Sequence, residues 1–166
     1  MAFVLLFISG QFNYLNFHIF FGHIIGAFVL TRLLLGFVSN NTSLKWSRYL
    51  YHPKELLKHL KKILVEKDSD LEIHNPAGSY LVLLMLFFLV VTVFTGTLLE
   101  SLFEFSGVML FLNDLINTEL AYLILNLHQY SSNAMVFLVI THIFGVLYSS
   151  YLSRKNFLLT MITGKL

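Results

Sequence analysis

Residues 120–152 read LAYLILNLHQYSSNAMVFLVITHIFGVLYSSYL, an uncharged stretch of 33 residues that carries two histidines, His128 and His142. About 20 apolar residues cross a bilayer as a helix, so this run is long enough to span with tilt or to begin outside the hydrocarbon. Two more runs resemble it. Phe17 to Val38 holds one charge, Arg32, and Ala77 to Leu99 holds none. The whole chain agrees with them. Its 166 residues are 57% apolar and 12% charged, with a mean hydropathy of +0.74. Soluble domains carry about 25% charged residues. A soluble globular protein and a disordered chain are therefore excluded. With no cysteine, so are a disulfide scaffold, thiolate zinc and iron–sulfur centres. A net charge of +2 gives no footprint for nucleic acid.

The reading is an all-α membrane protein, with spans at about 17–38, 77–99 and 122–152. A fourth apolar run, Ala2 to Ser9, is too short to span, since even ten residues of helix reach only about 15 Å. It is read as the second half of a helix, a partial span over 1–10. The expected fold is thus one domain over 1–166, an up-and-down four-helix transmembrane bundle with the first helix truncated. Lys45, Arg48, Lys54, Lys58, Lys61, Lys62 and Lys67 crowd the segment 39–75, and Arg154, Lys155 and Lys165 lie in the tail. Between the second and third long runs stand Glu100, Glu104, Asp114 and Glu119, without a Lys or Arg. Positive charge marks the cytoplasmic side, so the inner loop 39–75 and the C-terminus are cytoplasmic and the acidic segment is outside. Within the loop, Pro53 to Lys67 repeats leucine and isoleucine at helical spacing, as a surface helix whose lysines face lipid head groups.

Histidine inside a span is a functional hypothesis by default. His128 and His142 are 14 residues apart, so they fall on one helix face within about 40° and about 21 Å apart along the axis. Core histidines bonded to carbonyls are the plainer reading of one such residue. Two on one face suggest two stacked haem sites, each iron held by histidines from facing helices. His18 lies at the outer end of its run, at the depth of His128, and the two could clamp one haem. His142 lies deeper and needs a partner that no other intramembrane histidine supplies. His23, about 140° around the helix from His18, is assigned packing or hydrogen bonding. His52 and His59 fall in the basic segment and are read as solvated.

Arg32 shares the face of His18 about 21 Å deeper, either to pair with a haem propionate or to snorkel to the inner interface. His74 opens His74-Asn75-Pro76-Ala77-Gly78, as a helix cap or as a propionate contact. Gly22 with Gly26 makes a small-xxx-small pair, for helix packing or for room beside a haem face. Gly96 after Thr95, and Gly145, admit the same two readings.

Taken together, His18-Ile-Phe-Phe-Gly22 with Arg32 and Gly36, His74-Asn75-Pro76, Leu127-His128, His142-Ile-Phe-Gly145-Val146 and Met161-Ile-Thr-Gly164-Lys165 resemble the bacterial di-haem cytochrome b561 family. That family includes the b subunit of nickel–iron hydrogenases. The resemblance implies transmembrane electron transfer through haem b in the bacterial inner membrane. The quinone pool would stand at one end of the path. A redox protein such as a c-type cytochrome, or a dehydrogenase or hydrogenase subunit, would stand at the other. It implies His18 and His128 as ligands of an outer haem and His142 as a ligand of an inner one, hence one or two haems. The family's first helix normally supplies a further histidine, and this sequence starts after that point. A haem-free membrane anchor for a partner complex is the rival from another class, along with a fragment that has lost one haem site. A transporter is disfavoured because the spans are read as free of acidic groups.

Overall fold

The computed structural model describes residues 2–40, 45–65, 76–154 and 159. Among the described residues five helices follow one another: α1 (Ala2–Gln11), α2 (Leu15–Val38), α3 (Pro53–Val65), α4 (Pro76–Phe103) and α5 (Thr118–Ser153). Short 3₁₀ turns cover Trp46–Arg48 and Leu110–Leu115, and the described residues include no strand. α2, α4 and α5 are long and apolar enough to cross a membrane. α1, with ten residues, is about 15 Å long against a hydrocarbon core of about 30 Å.

Local chemistry sets the boundaries. α1 ends in a reversal where Tyr14 N–H donates to Ser9 O at 2.9 Å and Asn13 takes a φ of 57°, a left-handed conformation that Asn tolerates. At the start of α5, Asn117 Oδ1 accepts from Leu120 N–H at 2.9 Å as an N-cap, and Glu119 in the first turn suits the helix dipole. α3 is capped by His52, whose Nδ1 accepts from Lys54 N–H at 3.2 Å and whose carbonyl accepts from Glu55 N–H at 2.8 Å. The expected stop of the surface helix at Lys67 lies outside the described residues. Two boundaries differ from expectation by four residues. α5 starts at Thr118 rather than at 122. α4 continues past Leu99 to Phe103, so Glu100 lies on the helix. The helical hydrogen-bond ladder outruns the apolar run that signals it.

The chain forms two compact units, Met1–Leu35 with Leu86–Val136 and Gly36–Met85 with Phe137–Leu166. In the first, Leu6, Val29, Leu98, Ile124 and Met135 are buried, together with Thr95, Ser101 and Ser131. These hydroxyls are satisfied: Thr95 donates to Val91 O at 2.7 Å, Ser101 to Leu98 O at 2.8 Å, and Thr92 shares a 2.8 Å bond with Ser131. Gly26 is in close packing, since a Cβ there would lie 3.2 Å from Val93 Cγ1. Small and hydroxyl residues inside, with Phe17, Phe20, Phe28 and Phe137 exposed, invert the soluble pattern and suit lipid. In the second unit Trp46 covers Gly36, and Tyr80 Oη donates to Tyr51 O at 2.6 Å, tying the approach to α3 onto the first turns of α4.

Candidate functional site

The first unit holds two histidine rings, each gripped in the same way. His18 lies in the first turn of α2, and its Nδ1 is 3.0 Å from Leu6 O and 3.3 Å from Ser9 Oγ of α1. His128, on α5, has its Nδ1 3.0 Å from Thr92 O and 3.1 Å from Thr95 Oγ1 of α4. The hydroxyl roles follow from their other bonds. Ser9 spends its proton on Leu6 O at 2.8 Å, and Thr95 spends its own on Val91 O at 2.7 Å. Both hydroxyl oxygens, and both carbonyls, can therefore only accept from the rings. Each Nδ1 must carry the hydrogen, and each Nε2 is left with a lone pair. A backbone carbonyl holding the far N–H is the support that metal-ligating histidines usually have.

Glycine seats both rings. A Cβ at Gly10 would lie 3.1 Å from His18 Cε1, and one at Gly96 would lie 3.1 Å from His128 Cε1. Both helices approach closely because a hydrogen stands where other residues carry carbon. The ring centroids are 6.1 Å apart with planes at 78°. A metal ion about 2.0 Å from each of two imidazole nitrogens sets the ring centres about 6 Å apart, so the spacing fits one iron between them. Gly22, one turn below His18 on nearly the same face, would present a Cβ to open space, with nothing within 4 Å.

A family model described as prokaryotic cytochrome b561 matches residues 1–164. The chain belongs to the prokaryotic cytochrome b561 family. No curated protein and no solved structure matched it. Membership in the cytochrome b561 family brings membrane electron transfer and b-type haem, and the two supported imidazoles suit that group.

The other sequence-selected residues of this cytochrome are distributed as follows. His142 is half-buried on α5 in the second unit, and no described histidine is paired with it. Among the described residues, no group of three or more His, Cys, Asp or Glu is placed to hold a metal ion. Two histidines alone would suffice to hold a haem. Arg32 is half-buried on α2. His74 and Asn75 lie outside the described residues, as does the Met161–Lys165 motif. His23 makes a polar contact, as expected, but its partner was unexpected. Its Nε2 is 2.9 Å from Glu100 Oε2. Glu100 thus stands in the last turn of α4, on the helix rather than in the segment that follows it. Leu6, Ser9 and Thr92, which hold the rings, were not legible in the sequence. A carbonyl leaves no sequence signal, and the hydroxyls of Ser9 and Thr95 are 9 and 33 residues from the rings they touch.

Proposed function

We propose that this cytochrome carries electrons across a bacterial inner membrane through b-type haem, between the quinone pool and a redox protein partner such as a c-type cytochrome or a dehydrogenase or hydrogenase subunit. One observation supports the reading above the rest. His18 and His128, from α2 and α5, are both locked with Nδ1–H on a carbonyl and Nε2 open, with ring centres 6.1 Å apart. Bound there, haem supplies one-electron exchange between ferrous and ferric iron. The chain's own contribution is to orient both imidazoles before the group arrives. Ligand strength is raised by the carbonyls behind them. Two such imidazoles would together hold the group, which suits electron passage rather than oxygen chemistry.

His142 is assigned to a second haem nearer the cytoplasm, inside a four-helix bundle, on the strength of the family resemblance. Arg32 and His74 are assigned to propionates, and Gly22 to room beside the outer group. The segment 39–75 and the C-terminus are placed in the cytoplasm by their basic charge.

The experiment is haem per chain by pyridine haemochrome on the purified protein, with a reduced-minus-oxidised spectrum, for the parent and for His18→Ala, His128→Ala and His142→Ala. Loss of the same haem in the first two variants supports the pair. A parent that lacks haem b sinks the electron-transfer reading and leaves a membrane anchor. Retention of all haem in His128→Ala removes the site assigned here.

A further inference from the structure

We propose that the outward face of α5 around Asn126, Gln129 and Asn133 pairs with the same face of a second copy of this chain, as a parallel homodimer in the membrane. The pairing does not depend on haem. The three residues are spaced by three and four, which sets them within about 60° of one another on the helix. All three are exposed, and none of their side-chain amides makes a hydrogen bond among the described residues. The buried side chains of the same stretch, Ile124, Ser131 and Met135, stand on the opposite face. His128 is turned about 130° from the centre of the strip, toward Thr92 and Thr95 of α4.

Depth makes an uncovered strip costly. α5 has 36 residues and is about 53 Å long. Asn133 is the sixteenth of them, so a hydrocarbon core of about 30 Å includes it wherever that core falls along the helix. An amide facing lipid gives up its bonds to water, and polar side chains in spans serve instead to join helices. The chemistry selects the occupant. Two copies of a membrane chain share one orientation. A twofold axis along the membrane normal therefore sets their α5 helices in parallel, with each residue near its own copy. A carboxylate or an ammonium would repel its copy there. An amide both donates and accepts, so Asn and Gln can bond to themselves. Residues 120–152 carry no charge, so no like-charge contact opposes the pairing along them. The spacing of three and four is that of a coiled-coil seam, where a polar residue fixes register and the number of strands. Tyr122, one turn before Asn126 and 64% exposed, extends the seam.

The test uses the full chain. With no native cysteine, a single Tyr122→Cys reports on the seam. Leu120→Cys is the control, exposed at nearly the same depth but about 160° around the helix. Oxidation with copper phenanthroline in native membranes is expected to link Tyr122→Cys into dimers and to leave Leu120→Cys monomeric. Sedimentation equilibrium in detergent then gives the dimer dissociation constant. Asn133→Leu should weaken the dimer about tenfold. Asn133→Gln keeps the amide and should stay within about threefold of the parent, and replacing all three amides by leucine should give a monomer. Haem content should match the parent in every variant, because His128 faces elsewhere. Equal cross-linking at both cysteines overturns the proposal, as does a parent that sediments as a monomer or a dimer indifferent to the triple replacement. Cross-linking of Tyr122→Cys to a different protein also overturns it and gives the face to another subunit. A haem-free dimer held by these amides upholds the pairing and overturns the electron-transfer reading. A haem-loaded monomer does the reverse.

Discussion

Gly96→Ala tests the haem assignment without touching either histidine. The new Cβ would lie 3.1 Å from His128 Cε1 and 3.6 Å from Nδ1. Ordinary carbon contacts start at about 3.5 Å, so the ring must withdraw by a few tenths of an ångström. Its Nδ1 is now 3.0 Å from Thr92 O and 3.1 Å from Thr95 Oγ1. That movement takes both bonds to the edge of hydrogen-bonding range. Each bond is worth about 1 kcal/mol net, so the loss is about 1–2 kcal/mol in the orientation of His128, or about fivefold to thirtyfold in haem affinity. Alanine gains about 1 kcal/mol of helix propensity over glycine, so global stability should hold while haem affinity falls. The assay is a haemin titration of haem-free protein followed by absorbance, beside a thermal melt. Gly26→Ala is the matched control, equally tight at 3.2 Å but against Val93 rather than a histidine. A Gly96→Ala affinity within twofold of the parent, or an equal loss in Gly26→Ala, would refute the account.

Three further outcomes are expected. Gly22→Ala meets open space, so the haem-free chain should be unharmed or stabilised by up to about 1 kcal/mol, while haem occupancy falls if the group lies against that face; unchanged occupancy would remove Gly22 from the site. Gly36→Ala drives a Cβ into the Trp46 indole and should cost about 1–3 kcal/mol of stability, with a shifted emission from the chain's single tryptophan; an unaltered melt and spectrum would count against that packing. Thr95→Val removes one acceptor from His128 Nδ1 but leaves Thr92 O, so haem affinity should drop only about fivefold; complete haem loss would mean that the hydroxyl does more than orient the ring.

The sequence by itself determined the all-helical membrane class, three spans and the alignment of His128 with His142. Hydropathy and the helical period are local properties, readable along one strand of text. The family resemblance was also legible, in short motifs around His18, His128 and His142. Tertiary structure decided what those motifs could not carry. The partners of His18 are a carbonyl 12 residues away and a hydroxyl 9 away; those of His128 lie 36 and 33 away. Contacts of that kind depend on which helices meet, and a backbone carbonyl is the same in every residue type. Glu100 looked like part of an outer loop because the apolar run stops at Leu99. Only the continuation of α4 to Phe103 put its carboxylate against His23. Likewise Gly22 and Gly26 look alike as a pair of small residues four apart. The fold separates them, setting one against Val93 and leaving the other beside open space, because only one of the two faces a neighbouring helix at contact distance.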